Sequence, residues 1–250
     1  MKTYKAKGMN VSICSRSELK KLIYTDFPSD TAIISYYGID EKRMYIPDLI
    51  RNVSLCIDDE KDYSALDTND YHAEDFKRVA NYILNCYENR INIICQCEAG
   101  ISRSAATAAA VLQFLEQKGM LVFSDYELES NKLFYNGIYH YLNDICLKRI
   151  STFSGSSMSN KYEMPCLDFL ITKLKTSEIK REQIFLLYEL HRIYKLPAQV
   201  TNALIEHALS VCDNHLFRKY IIPIAVDMSN HRIYTYEESL KFLKRGNDEQ

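Results

Sequence analysis

A cysteine and an arginine separated by five residues mark the segment of this chain with the clearest chemical potential. A thiol at the end of a strand and beneath a helix N-terminus lies near backbone N–H groups and the positive end of the helix dipole, which favour the thiolate. The same N–H groups can bind a tetrahedral dianion. This pattern predicts a nucleophilic thiolate at the base of an anion-binding loop. The segment is Cys97-Glu98-Ala99-Gly100-Ile101-Ser102-Arg103-Ser104.

The other residues of this segment have separate uses in phosphate chemistry. Gly100 allows the backbone to turn tightly toward an anion. Arg103 can fold back and bind two phosphate oxygens in a bidentate manner. Ser104 can stabilise the thiolate as a leaving group when water cleaves a phosphocysteine. We predict hydrolysis of a phosphomonoester by Cys97, with the phosphate bound by Glu98, Ala99, Gly100, Ile101, Ser102 and Arg103.

The surrounding sequence alternates between strand-like and helix-like patterns from residue 10 to residue 145. Apolar and β-branched runs predict strands at 10–15, 31–36, 53–57 and 91–95. Helical spacing of apolar residues predicts helices at 17–23, 76–87, 104–118, 124–134 and 136–149. This alternation is typical of a three-layer α/β domain with a mostly parallel central sheet, which we assign to residues 1–150.

The Cys-x5-Arg-Ser pattern after a strand resembles the signature of protein tyrosine and dual-specificity phosphatases. The form Cys-Glu-Ala-Gly-Ile-Ser-Arg-Ser is similar to that of the compact bacterial and phage branch, over roughly residues 10–145. The resemblance implies that the substrate is a phosphoprotein or another phosphomonoester. Gln96 departs from the family, which usually has a histidine there that orders the loop. This departure predicts reduced activity, and a catalytically weak or inactive phosphate-binding module is the alternative.

The resemblance also implies a general acid, an aspartate on a separate loop that protonates the leaving oxygen. Asp58 and Asp59 follow a predicted strand, and Asp59 is our first choice because compact relatives carry the acid in a similar context. Dual-specificity enzymes more often place it about 30 residues before the cysteine, which would favour Asp67. Cys95 is interpreted as a core cysteine rather than a disulfide partner of Cys97, because strand neighbours two apart have poor geometry for that bond.

The last third of the chain has a different character. A Ser/Gly-rich stretch at 151–161 predicts a flexible linker. Beyond it, apolar spacing predicts helices near 166–174, 180–195, 198–211, 215–228 and 235–245, hence a small all-α domain over 162–250.

This second domain resembles the helical domain of DnaD- and DnaB-type primosome proteins and phage replication proteins. That family has a Tyr-x3-Ile-x3-Trp pattern, in which Tyr220 and Ile224 match and Met228 replaces the tryptophan. The resemblance implies a DNA or protein partner for residues 162–250. The same spacing also fits a plain core stripe of a helix bundle, and a protein-interaction role is favoured over DNA binding.

The composition argues against two classes of function. The net charge is -2, without the basic excess of a nucleic-acid-binding protein. No apolar run approaches the roughly 20 residues that a membrane span needs, and the first residues lack the apolar core of a signal peptide. The eight cysteines predict reduced thiols without a zinc spacing. We therefore expect a cytoplasmic protein with no cofactor, no metal and no membrane partner.

Overall fold

The computed structural model describes residues 1–59, 72–151, 161–176 and 178–248. The chain forms two compact units, residues 1–143 and 144–250. The predicted linker falls largely on residues 152–160, which lie outside the described residues, as does the candidate acid Asp67.

The first unit is built on a five-stranded sheet with the order β1-β2-β5-β3-β4. Strands β2, β5, β3 and β4 are parallel to their neighbours, and β1 pairs antiparallel to β2 at one edge. The mostly parallel central sheet is thus confirmed, with flanking helices. The strands are β1 Lys2–Ala6, β2 Met9–Ser15, β3 Thr31–Tyr37, β4 Asn52–Cys56 and β5 Asn92–Cys97.

Strand β1 is absent from the sequence-based prediction. Its side chains are partly or fully exposed up to Ala6, and two of its five residues are lysines. A strand at the edge of a sheet is less enclosed by the protein than a central strand, so its sequence need not contain an apolar run. Its lysines discourage pairing with a further strand. Its register on β2 runs from Lys2 opposite Ile13 to Ala6 opposite Met9.

Helices cover both faces of the sheet. On one face, Leu19 of the first helix packs with Ile33 and Ile94. On the opposite face, the ring of Tyr36 meets the ring of Phe134 edge-on, with their centroids 5.3 Å apart. The predicted three-layer arrangement follows from this alternation of strand side chains. The helices are α1 Arg16–Thr25, α2 Ala73–Glu88, α3 Arg103–Glu116, α4 Met120–Phe123 and α5 Lys132–Ser151.

The prediction of a helix over 124–134 is wrong. The short helix α4 ends at Phe123, and α5 begins only at Lys132. The side-chain oxygen of Asn131 accepts hydrogen bonds from the backbone N–H groups of Leu133 (3.0 Å) and Phe134 (3.3 Å). A side chain that bonds to the first N–H groups of a helix marks its start, so Asn131 fixes where α5 begins.

The described part of the second unit is helical and lies close to the predicted segments. Its apolar core includes Leu204, Ile221 and Met228, all fully buried, and Tyr220 and Ile224 pack against that core. The stripe of Tyr220, Ile224 and Met228, on which the resemblance to DnaD- and DnaB-type proteins rests, therefore belongs to the packing of this core. The elements are a 3-10 turn Lys161–Glu163, α6 Cys166–Leu174, α7 Arg181–Tyr188, a π-helical turn Glu189–Ile193, α8 Ala198–Val211, α9 Arg218–Asn230 and α10 Tyr236–Asp248.

Within the described ranges, no helix is both long enough and apolar enough to span a lipid bilayer.

Candidate active site

The loop of residues 98–102 connects the end of β5 to the start of α3. Gly100 has a φ of +76°, and a Cβ atom there would lie 2.5 Å from the backbone nitrogen of Ser15. Both the left-handed backbone and the close approach of β2 require glycine. The sharp turn predicted at this position is therefore built on two separate constraints.

Three further hydrogen bonds fix the loop at its ends. The backbone N–H of Arg16 donates to the carbonyl of Glu98 at 3.1 Å, and its guanidinium donates to the Glu98 carboxylate at 2.9 Å. On the other side, the N–H of Glu129 donates to the carbonyl of Ile101 at 2.9 Å. Ala99 is exposed and Ile101 is 37% exposed, so the crest of the loop faces solvent.

Cys97 and Ser104 lie together beneath this loop. Both side chains are buried, and Cys97 Sγ lies 3.1 Å from Ser104 Oγ. Ser104 belongs to the first turn of α3, so the sulfur lies near the positive end of a 14-residue helix. A hydroxyl at this distance can donate to a thiolate and stabilise it.

Arg103 is buried, and its guanidinium has a defined orientation. Its Nη1 donates to the carbonyl oxygen of Ile57 at 2.8 Å, and its Nη2 donates to the two carboxylate oxygens of Glu41 at 2.9 and 3.2 Å. A buried cation needs such partners, because leaving it without a counter-charge is costly. The side chain is therefore held in the protein rather than extended into solvent.

Glu41 is a site residue that the sequence prediction missed. One of its carboxylate oxygens also accepts the N–H of Gly38 at 2.7 Å, which holds the turn after β3. Glu41 and Arg103 are 62 residues apart in the chain, and no local pattern announces their contact. Only the pairing of β3 with β5 brings the two segments to the same edge of the sheet.

Of the two described candidate acids, Asp59 contacts the loop and Asp58 does not. Asp59 Oδ1 accepts hydrogen bonds from Ser102 Oγ at 2.7 Å and from Asn131 Nδ2 at 2.9 Å. Asp58 Oδ1 instead accepts the backbone N–H of Ile39 at 2.8 Å, so it holds the turn after β3. Asp59 Oδ2 takes part in neither of these two bonds.

Ser102 and Asn131 are also absent from the prediction as partners of the acid. Ser102 precedes the first residue of α3, yet its hydroxyl makes no capping bond and turns to Asp59. The first N–H groups of α3 therefore receive no side-chain cap from this serine and can serve an anion. Asparagine before a helix is a familiar capping signal, so Asn131 could have been found had the start of α5 been placed correctly.

Gln96 lies in the sheet rather than in the loop. It is 2% exposed, and its side-chain oxygen accepts a hydrogen bond from Ser35 Oγ at 2.5 Å. Successive strand residues point to opposite faces, so Gln96 and Cys97 lie on different sides of β5. The amide is thus occupied within the sheet.

The cysteines next to Cys97 have a different environment. Cys95 is fully buried, and burial raises the pKa of its thiol well above the ordinary value. Burial also raises the pKa of Cys14, on β2, to about 12. Both thiols are therefore protonated near neutral pH, in keeping with core roles.

The comparisons with known proteins give matches among solved structures. A scan against protein-family models finds no match, and a search of curated proteins finds none either. Among solved structures, the chain is similar to PTPMT1, with 11% identity, a TM-score of 0.39, and coverage of 59% of this chain and 98% of that one. Human DUSP28 gives 11% identity, a TM-score of 0.39, and coverage of 59% and 99%.

A third solved structure has a related description. It is human tyrosine phosphatase-like serine/threonine/tyrosine-interacting protein, with 18% identity, a TM-score of 0.38, and coverage of 56% of this chain and 93% of that one.

Proposed function

We propose that the first unit hydrolyses phosphomonoesters through a phosphocysteine at Cys97, in the manner of a protein tyrosine or dual-specificity phosphatase. The observation that carries this proposal is the 3.1 Å contact of Cys97 Sγ with Ser104 Oγ. The contact lies beneath the loop of residues 98–102, whose turn requires Gly100 and which leads into the N-terminus of α3. A hydroxyl and a helix N-terminus next to the sulfur favour a sulfur anion, and the N–H groups of the loop favour binding of an oxyanion above it.

In the first step, the Cys97 thiolate attacks phosphorus in line with the leaving oxygen. A sulfur–phosphorus bond forms as the phosphorus–oxygen bond breaks, and Asp59 Oδ2 gives its proton to the departing oxygen. Loop N–H groups and the Arg103 guanidinium bind the equatorial oxygens, on which negative charge is concentrated in the transition state. Ile57 and Glu41 hold the two terminal nitrogens of Arg103, and its Nε, which has no hydrogen-bond partner among the described residues, is the donor that the protein leaves unused.

In the second step, a water molecule attacks the phosphocysteine. Asp59, now a carboxylate, accepts a proton from that water, and the sulfur–phosphorus bond breaks to release inorganic phosphate. The electron pair returns to sulfur, and the Ser104 hydroxyl stabilises the resulting thiolate. Enzyme and acid are then back in their starting states.

The test is turnover of para-nitrophenyl phosphate by the full chain. We expect turnover that EDTA does not inhibit, that vanadate inhibits, and that Cys97→Ser abolishes. Cys95→Ser is the matched control, since it replaces a thiol two residues away on the same strand, and it should retain activity. Full activity in Cys97→Ser would overturn the proposal.

One observation favours a second candidate function, a weak or inactive phosphate-binding module in a replication-linked adaptor. The side-chain oxygen of Gln96 accepts a hydrogen bond from Ser35 within the sheet, at the position where the family that the motif resembles has a loop-ordering histidine. This candidate predicts a folded chain that binds phosphate without turnover, together with a DNA or protein partner for residues 162–250. An electrophoretic shift with DNA that weakens as salt rises would support the DNA-binding form.

A further inference from the structure

A polar cavity lies at the other end of the sheet from Cys97. It has a volume of about 610 Å³. Asn52 begins β4 and Ile91 directly precedes β5, whereas Cys97 ends β5, so the two sites are separated by roughly 20 Å of strand. Tyr82, Asn85 and Cys86 of α2 line the cavity together with Arg51 and with Asn89, which directly follows that helix.

The hydroxyl of Tyr82 is the most informative group in this cavity. Its oxygen is inaccessible to solvent and has no hydrogen-bond partner among the described residues. A buried polar group without a partner costs its full desolvation. A ligand that enters the cavity and displaces the atoms covering this oxygen would recover that cost by accepting its proton. Burial raises the pKa of Tyr82, so the group is a neutral donor at physiological pH.

The neighbouring polar groups are donors as well. Arg51 is exposed, always charged, and forms no ion pair with any described carboxylate. The side-chain oxygen of Asn85 already accepts a hydrogen bond from Asn89 Nδ2 at 2.7 Å. The side-chain nitrogen of Asn85 is the group that can donate to a ligand.

Among the residues that the structure describes, no aspartate or glutamate lines the cavity, so no described carboxylate opposes these donors. Besides Tyr82, Cys86 is the one described lining residue whose side chain could become an anion by losing a proton. Burial raises the pKa of its thiol to about 12, so the thiol is neutral. A guanidinium, a hydroxyl and an amide without a carboxylate are suited to an oxyanion.

We propose that this cavity binds the phosphate or carboxylate group of a small metabolite, with Arg51, Tyr82 and Asn85 as donors. The volume lies in the range of small-molecule sites, roughly 300–1,000 Å³. The proposal does not depend on activity at Cys97, since the two sites share no residue.

The test is a titration of the full chain with inorganic phosphate and, separately, with malonate, followed by NMR signals of individual residues. Site-resolved signals are needed because phosphate is also expected at the loop of residues 98–103. We expect saturable shifts of the Asn85 side-chain amide and Arg51 Nε with at least one probe. Arg51→Gln should weaken that affinity roughly ten- to hundredfold without changing the shifts of Gly100. Arg78→Gln, an exposed arginine elsewhere on α2, is the matched control.

A second variant separates ligand binding from structure. Tyr82→Phe removes a hydroxyl that has no protein partner, so the thermal midpoint of the free chain should stay the same or rise. The increase in midpoint on adding the bound probe should shrink, whereas Tyr24→Phe, at an exposed tyrosine, should leave it unchanged. Absence of saturable shifts with both probes, equal affinity in Arg51→Gln, or a lower midpoint of free Tyr82→Phe would overturn the proposal.

Discussion

Asn131 Nδ2 donates to Asp59 Oδ1 at 2.9 Å, and the opposite end of the same amide accepts the first N–H groups of α5. One side chain therefore sets both the start of a helix and the position of an aspartate 72 residues away. This places Asp59 beside the loop of Cys97 without any ligand, so the acid in our proposal is held in advance rather than recruited.

The first prediction concerns this double role of Asn131. Asn131→Ala should destabilise the chain by about 1 kcal/mol through loss of the cap and should also lower kcat on an aryl phosphate. Asn131→Ser keeps a capping oxygen but is too short to replace the amide donor to Asp59. It should keep most of the stability and still lower kcat. Urea unfolding and steady-state kinetics on the same samples measure both effects, and wild-type kcat in Asn131→Ala would contradict the positioning role.

The second prediction distinguishes the candidate acids. Asp59→Asn should lower kcat by roughly 10²–10⁴ on a substrate with a poor leaving group, such as phenyl phosphate. The loss should be smaller on para-nitrophenyl phosphate, whose leaving oxygen needs less help from an acid. Asp58→Asn is the matched control, because its carboxylate bonds to Ile39 rather than to the loop. If Asp59→Asn keeps full rate on both substrates, the acid is Asp67 or Asp58.

The third prediction concerns the counter-charge of Arg103. Glu41→Gln leaves the buried guanidinium without its carboxylate and should cost about 1–3 kcal/mol of the free energy of unfolding. It should also lower kcat/KM, since the arginine loses one of its two anchors. Glu74→Gln removes an exposed helix pair with Lys77 instead and should change stability by less than about 0.5 kcal/mol. Equal stability of the two variants would mean that the Glu41 contact is dispensable.

The amount that sequence could predict differs sharply between parts of this site. Cys97, Gly100, Arg103 and Ser104 lie within eight consecutive residues, so local geometry alone relates them. The partner of Arg103, Glu41, comes from another strand end, and nothing in the spacing of charged residues indicates that contact. Long-range contacts of this kind depend on strand order, which a single sequence does not specify.

Some elements of the fold could likewise be predicted from local sequence, and others could not. Strands β3 and β5 each contain a short run of buried apolar residues, and the predicted strands end within two residues of the observed ones. Strand β1 escaped prediction because it is polar and lies at an edge. The prediction of a helix over 124–134 fails because residues 124–131 are mostly polar and not helical, and the Asn131 side chain caps α5 at its start.

The fourth prediction concerns stability at alkaline pH. In the folded chain, burial raises the pKa of Cys14 to about 12, whereas an unfolded cysteine has a pKa near 8.5. Above pH 8.5 the unfolded chain therefore loses a proton that the folded chain keeps, and stability must fall as pH rises toward 12. The slope for each such thiol is at most about 1.4 kcal/mol per pH unit.

Two variants check this slope. Cys14→Ala should flatten the decline of the unfolding free energy between about pH 9 and 10.5, whatever constant cost the substitution carries. Cys56→Ala, at an exposed cysteine, should give a curve parallel to that of the wild type. Urea unfolding over this pH range gives the comparison. Parallel curves for both variants would contradict the raised pKa.

The most direct test of the central claim is to trap the phosphorylated enzyme. Ser104→Ala removes the hydroxyl 3.1 Å from the sulfur and should slow breakdown of the intermediate more than its formation. Acid quenching of this variant during turnover, followed by mass spectrometry of its peptides, should reveal one phosphoryl group on Cys97. Turnover that proceeds with no phosphoryl group on Cys97, or with one on another residue, would contradict the account.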